Sequence, residues 1–107
     1  MSKTNKTSDS VYTKSLTIQP YDKDRLTNLI GTVSSNLRQI EQFFGVTINN
    51  RGNYFEIVGI PKCVEKSCTV IRQVYDETLH NKSISPHNLM LILKALDQDY
   101  SDKFKDE

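Results

Sequence analysis

Ile30-Gly31-Thr32-Val33-Ser34-Ser35-Asn36-Leu37-Arg38-Gln39-Ile40-Glu41-Gln42-Phe43-Phe44-Gly45-Val46-Thr47-Ile48 is the stretch whose reading decides the fold. It spells the end of one short helix, a tight loop opening on Gly31, a second helix stopped by Gly45, and then a strand. Leu37, Ile40 and Phe44 recur at three and four and mark the buried face of the second helix, with Phe43 widening it. Ser34 or Ser35 is placed to cap its start. Upstream, Ser15–Gln19 alternates as a half-buried strand through Leu16 and Ile18, and Pro20 ends it. Asp22 is placed as N-cap of a helix whose stripe is Leu26, Leu29 and Ile30. Downstream, Val46 and Ile48 alternate with Thr47 and Asn49. Asn50-Arg51-Gly52-Asn53 reads as a hairpin turn, and Phe55 and Ile57 give a third strand. A long helix follows from Lys62 to about His80, with Val64, Cys68, Ile71, Val74, Tyr75 and Leu79 on its apolar side. Asn81-Lys82-Ser83 breaks it. Ser85 as N-cap and Pro86 at the first helical position open a last helix with Leu89, Ile92, Leu93 and Leu96 facing the core.

The predicted fold class is therefore α+β, in the order β-α-α-β-β-α, with a three-stranded antiparallel sheet covered by helices on one face and one extra C-terminal helix. One apolar and one polar face per strand is what such a sheet requires. This order, with a four-residue loop between the first two helices, resembles a type I KH domain, where a Gly-x-x-Gly loop clamps about four nucleotides of single-stranded nucleic acid. Here the loop is Gly31-Thr32-Val33-Ser34: the first glycine is present and Ser34 stands in place of the second. A Ser34 hydroxyl can either donate to a phosphate or cap the following helix and block the site. Lys23 and Arg25 before the loop, Arg38 after it and Arg51 at the hairpin tip are the candidate phosphate contacts. Tyr54, on the polar side of the sheet, is a candidate to stack on a base.

Bulk composition constrains the alternatives. The 107 residues suit one domain, and the hydrophobic fraction is 36%. Residues 1–14 are polar and read as a disordered tail, residues 97–107 as an acidic linker, and residues 15–96 as the folded unit, with the appended helix at 85–96. The formal charge is +1 overall, and nine basic against seven acidic side chains lie between residues 15 and 96; dedicated nucleic-acid binders are usually more basic. No apolar run is long enough to span a bilayer and no apolar leader is visible, so the expectation is a cytoplasmic protein with no membrane partner. Cys63 and Cys68, five apart on a helix, point in different directions and suit neither a disulfide nor a metal pair; Cys68 reads as core. No metal ligand set is expected. None of the four glycines precedes a lysine, so no Walker-type phosphate loop can be drawn, and no nucleophile elbow or zinc-protease motif occurs. The expectation is a chain without catalysis and without a cofactor of its own.

Three runs carry a further likeness. Asp22 to Gly31, then Asn36-Leu37-Arg38-Gln39-Ile40-Glu41, then Gly45 to Asn53 with its Arg51-Gly52-Asn53, resemble the N-terminal domain of bacterial PhoH-like proteins; Ile84-Ser85-Pro86 resembles that family's opening of the next helix. The likeness covers roughly residues 15–96. It implies a KH-like module involved in RNA metabolism, attached to a P-loop ATPase domain that would carry ATP and magnesium. That domain is absent from this chain, which would be a cut or truncated form. The resemblance also implies a YbeY-type endoribonuclease as associate and single-stranded RNA as ligand. The alternative expectation is a docking or homo-oligomerisation domain, using Met90, Leu91 and Ala95 on the last helix as a second apolar face.

Overall fold

In the computed structural model, residues 11–80 and 84–105 are described. Four helices cover one face of a three-stranded sheet. The elements are β1 (Tyr12–Thr17), α1 (Lys23–Ile30), a 3₁₀ turn (Thr32–Ser34), α2 (Ser35–Phe44), β2 (Thr47–Arg51), β3 (Tyr54–Gly59), α3 (Pro61–Glu77) and α4 (Pro86–Lys105). The sheet order is β1-β3-β2 and both pairings are antiparallel. This is the expected β-α-α-β-β-α order with a helix added. The central strand is β3, so β2 and β1 are both edges.

Period-two alternation sorts the strand residues. Leu16, Ile48, Phe55 and Ile57 turn under the helices, where Phe55 and Ile57 are completely buried. The opposite face holds Thr13, Ser15 and Thr17 on β1, Tyr54, Glu56 and Val58 on β3, and Thr47, Asn49 and Arg51 on β2, in directly paired rows. Leu29 of α1, Ile40 of α2, Val64, Val70, Ile71 and Val74 of α3, and Leu89 and Leu93 of α4 complete the core at zero exposure. The hairpin is a two-residue turn, Gly52-Asn53, with Gly52 at φ 61°. Asn53 then grips the residue that follows β1: its carbonyl accepts from Ile18 N–H and its Nδ2 donates to Ile18 O, each at 2.9 Å.

Several boundaries differ from expectation. The first strand starts at Tyr12, not Ser15, because β3 is long enough to pair Tyr12 and Thr13 with Gly59 and Val58. Lys14, expected in the tail, reaches Glu65 on α3 at 2.9 Å. Residues 1–10 of the expected tail lie outside the described residues, as do the expected break at Asn81-Lys82-Ser83 and residues 106–107. The last helix does not stop at Leu96 but runs to Lys105; nothing between Asp97 and Lys105 is a glycine or proline that would end it. Leu79 is 64% exposed rather than core, since α3 ends at Glu77, two residues before it. Ser85 caps α4 as expected, its Oγ accepting from Asn88 N at 3.1 Å. Gln39 Nε2 donates to Pro86 O and Lys66 pairs with Asp97, tying α4 to α2 and α3.

Candidate nucleic-acid interface

The junction between α1 and α2 is a sharp turn on the surface. Gly31 closes α1, donating its N–H to Thr27 O at 2.9 Å. Its backbone angles, φ 85° and ψ 170°, fall where essentially only glycine is stable. A Cβ at Gly31 would lie 2.8 Å from both Asn36 Cγ and Ser35 Oγ and 2.9 Å from Asn36 N. The position therefore demands glycine on two counts. Asn36 is buried, and its Nδ2 donates to Asn28 O at 3.2 Å, binding the last turn of α1 to the first turn of α2.

Ser34 carries the main surprise. It adopts the left-handed conformation, φ 59° and ψ 27°, and makes no side-chain cap bond to α2. Of the two roles open to it in the sequence, helix capping is thus not the one it takes. It is also the one non-glycine residue at positive φ among the described residues. A serine here occupies the conformation a glycine would hold, at a local cost of about 1–2 kcal/mol. The backbone of the Gly31-Thr32-Val33-Ser34 turn thus keeps a glycine-like shape at both ends. Thr32 is exposed and Ser34 half-buried, and Val33 lies in the 3₁₀ turn between them. A cavity of about 380 Å³ lies beside the turn, lined by Thr27, Asn28, Gly31, Thr32, Asn36 and Pro86 among others.

The candidate cations do not all gather here. Arg38 is exposed on α2, one turn beyond Ser34. Lys23 is exposed at the other end of α1, about 12 Å along the helix from Gly31. Arg25 is at that same far end and is engaged within the fold. Its Nε donates to Thr78 Oγ1 and its Nη2 to Tyr75 O, each at 3.0 Å, and its guanidinium stacks 4.1 Å from the Tyr75 ring centroid. It neutralises the carbonyl end of α3, where a cation is favoured, and Tyr75 Oη in turn donates to Pro20 O. Arg25 is thus a brace between α1 and α3, a role that its place in the sequence concealed. Arg51 is exposed on the outer face of the sheet, directly paired with Tyr54. Tyr54 is 43% exposed, with its hydroxyl 2.9 Å from Ser15 Oγ. These two share a shallow hollow of about 190 Å³ with Asn49, Asn50 and Glu56.

One contact escaped the sequence reading. The carboxylate of Glu41, on α2, accepts from Ile48 N–H of β2 at 2.7 Å. Since β2 is an edge strand bonded to β3 on its other side, this N–H belongs to the free edge that runs beside α2. A Glu one turn past Arg38 in sequence looks like ordinary surface charge; only the register of β2 against α2 reveals its partner.

Among the described residues, no group of three His, Cys, Asp or Glu side chains is placed to hold a metal ion, and no helix is long and apolar enough to cross a membrane. Cys68 is buried, and burial pushes its thiol above its ordinary value.

No protein-family model matches the sequence. Solved structures do resemble it. Dim2p from Pyrococcus horikoshii OT3 superposes with a TM-score of 0.60 at 19% identity, over 83% of this chain and 49% of that one. The a/eIF2alpha-aDim2p-rRNA complex from the same organism gives 0.62 at 19% identity, over 87% and 49%. A protein of unknown function from Aeropyrum pernix gives 0.61 at 15% identity, over 91% and 54%. The chain spans about half the length of these structures. At such identities the likeness speaks for the fold, and with the element order, sheet order and inter-helical turn already described, that fold is KH-like.

Proposed function

We propose that this chain is a non-catalytic, single-stranded RNA-binding module that grips the sugar–phosphate chain at the Gly31–Ser34 turn. The observation that carries the reading is the glycine-like backbone at both Gly31 and Ser34, with exposed Arg38 one helical turn away. In KH domains this turn is the part that clamps the backbone. Support comes also from the fold neighbour solved in a complex with rRNA. The finer reading is that of the N-terminal module of a PhoH-like protein, guiding RNA toward a P-loop ATPase domain in the same cytoplasmic protein. It rests on the Leu37-Arg38-Gln39-Ile40-Glu41 and Arg51-Gly52-Asn53 runs. ATP, magnesium and a YbeY-type endoribonuclease would then be partners of that larger protein rather than of this chain.

Titration with single-stranded RNA at low salt tests the proposal. Arg38→Glu should weaken binding several-fold and flatten its salt dependence, because each phosphate contact contributes to the slope. Arg51→Glu should weaken it too if the strand continues past the hairpin. Affinity untouched by both changes, or no affinity, rejects the reading.

A second reading is favoured by one feature. Leu91 is 54% exposed beside a hollow lined by Glu77, Ile84, Asn88 and Ile92. This would make α4 a docking face for a second copy or for the ATPase domain. Sedimentation at high concentration separates the two, since a strictly monomeric species rejects self-assembly.

A further inference from the structure

The outer face of the sheet carries a polar hollow that shares no residue with the cavity beside the turn between α1 and α2. Arg51 and Tyr54 are direct partners across β2 and β3, and so are Asn49 and Glu56. Residues two apart on one strand share a face, so all four side chains stand on the solvent side. Tyr54 leans toward β1, where its hydroxyl lies 2.9 Å from Ser15 Oγ. Between this ring and β2 is a space of about 190 Å³, lined by Tyr54, Glu56, Arg51, Asn49 and Asn50. Arg51 and Glu56 stand on a diagonal of the strand pair, with backbones about 7–8 Å apart. Both side chains are long enough to meet, yet among the described residues neither makes an ion pair or a side-chain hydrogen bond. Glu56 is half-buried, so its carboxylate has given up part of its water without gaining a partner.

We propose that this hollow is a binding site for a guanine base. It offers an aromatic ring, an unpartnered carboxylate and an unpartnered guanidinium. Guanine carries two acceptors, O6 and N7, on one edge, the pair to which an arginine donates two hydrogen bonds. Its adjoining edge carries two donors, N1–H and N2–H, which a carboxylate accepts with charge-assisted bonds. Adenine turns an acceptor, N1, toward that carboxylate. Cytosine offers it one donating group beside an acceptor, and uracil a single N3–H between two carbonyl oxygens. Guanine is thus the base that satisfies Arg51 and Glu56 at once while its ring stacks on Tyr54. A lysine or arginine side chain would suit Glu56 and Tyr54, but Arg51 in the same hollow repels it. The proposal goes beyond the grip at the turn and does not require it. The base can come from a free guanine nucleotide or from a guanosine within an RNA strand.

Titration of the full chain with GMP, AMP, CMP and UMP, followed by amide chemical shifts, tests the site. Oligouridylate with and without one central guanosine distinguishes the two sources of the base. The expected result is that GMP moves the amides of Asn49, Arg51, Tyr54 and Glu56 saturably, at about tenfold lower concentration than the other three nucleotides. Glu56→Gln keeps the size of the side chain but replaces one acceptor by a donor, so the guanine preference should fall about tenfold. Tyr54→Phe keeps the ring and should still bind, whereas Tyr54→Ala should not; thermal melting confirms that each variant is folded. If free GMP leaves the outer face unmoved, but the guanosine-bearing strand moves it and plain oligouridylate does not, the site takes its base from RNA. An equal response to all four nucleotides, or a guanine preference that survives Glu56→Gln, overturns the proposal. If the amides of Gly31 to Ser34 respond to oligouridylate while neither GMP nor the guanosine-bearing strand moves the outer face, this inference fails alone and the function proposed above stands. With no response anywhere, both fail.

Discussion

Replacing Ser34 with glycine should make the protein both more stable and, on the proposed function, a better RNA binder. Ser34 sits at φ 59° and ψ 27°, where an L-residue with a Cβ is disfavoured by about 1–2 kcal/mol. Glycine removes that cost. It also adds freedom to the unfolded chain, which takes back about 0.4–1 kcal/mol. No side-chain cap bond is lost, because Ser34 makes none. The net expectation for Ser34→Gly is a gain of about 0.5–1 kcal/mol, or roughly 3–6 °C in Tm for a domain of this size. Ser34→Ala is the control. It keeps the strained Cβ and loses only the hydroxyl, so its Tm should move little. In RNA titrations the glycine variant should bind several-fold tighter, since a phosphate can approach the turn without meeting a Cβ. Thermal denaturation and titration of all three proteins give the answer. A drop in stability for Ser34→Gly, or a loss of about 1 kcal/mol for Ser34→Ala of the kind that follows removal of a helix cap, would show that the hydroxyl caps α2 and would refute the reasoning.

Gly31→Ala should destabilise the domain by about 2–3 kcal/mol or prevent folding, since its backbone angles exclude other residues and a Cβ would press on the Asn36 backbone; chemical denaturation measures it. Arg25→Ala should cost about 2–3 kcal/mol through the lost bonds to Tyr75 O and Thr78 and the lost ring stacking. If that variant folds, its RNA affinity should be unchanged, because the brace lies at the far end of α1; a selective loss of affinity would place Arg25 in the interface. A maleimide should modify half-exposed Cys63 in the native protein and reach Cys68 only on unfolding, as mass spectrometry of digested samples can show. Burial raises the Cys68 thiol above 9.0, so the unfolded chain releases that proton first. Stability should decline as pH rises from about 9 toward the higher folded value, and Cys68→Ala should remove part of that slope.

The fold was legible because its punctuation is local. Gly31, Gly45 and Gly52 each mark a position of positive φ. The stripes at Leu37, Ile40 and Phe44 and at Leu89 and Leu93 fix which helix faces are buried, and strand alternation shows one-sided burial. Helix caps at Asp22 and Ser85 could be read from residue type alone, and both form. What stayed hidden depends on partners distant in sequence. Tyr12 and Thr13 look like tail until β3 is seen to be long enough to pair with them. Arg25 looks like a surface cation until the end of α3, fifty residues later, arrives beneath it. Glu41 looks like one more acid on a helix until β2 lies alongside. Ser34 is the converse case: its residue type suggests a capping hydroxyl, while the turn forces it into a glycine's conformation.

Amide chemical-shift mapping tests most directly whether RNA is held at the turn between α1 and α2. On adding single-stranded RNA to the full chain at low salt, the amides of Gly31 to Ser34 and of Arg38 should shift together and saturably. Shifts confined to the outer face of the sheet or to α4, with the turn unmoved, would contradict it.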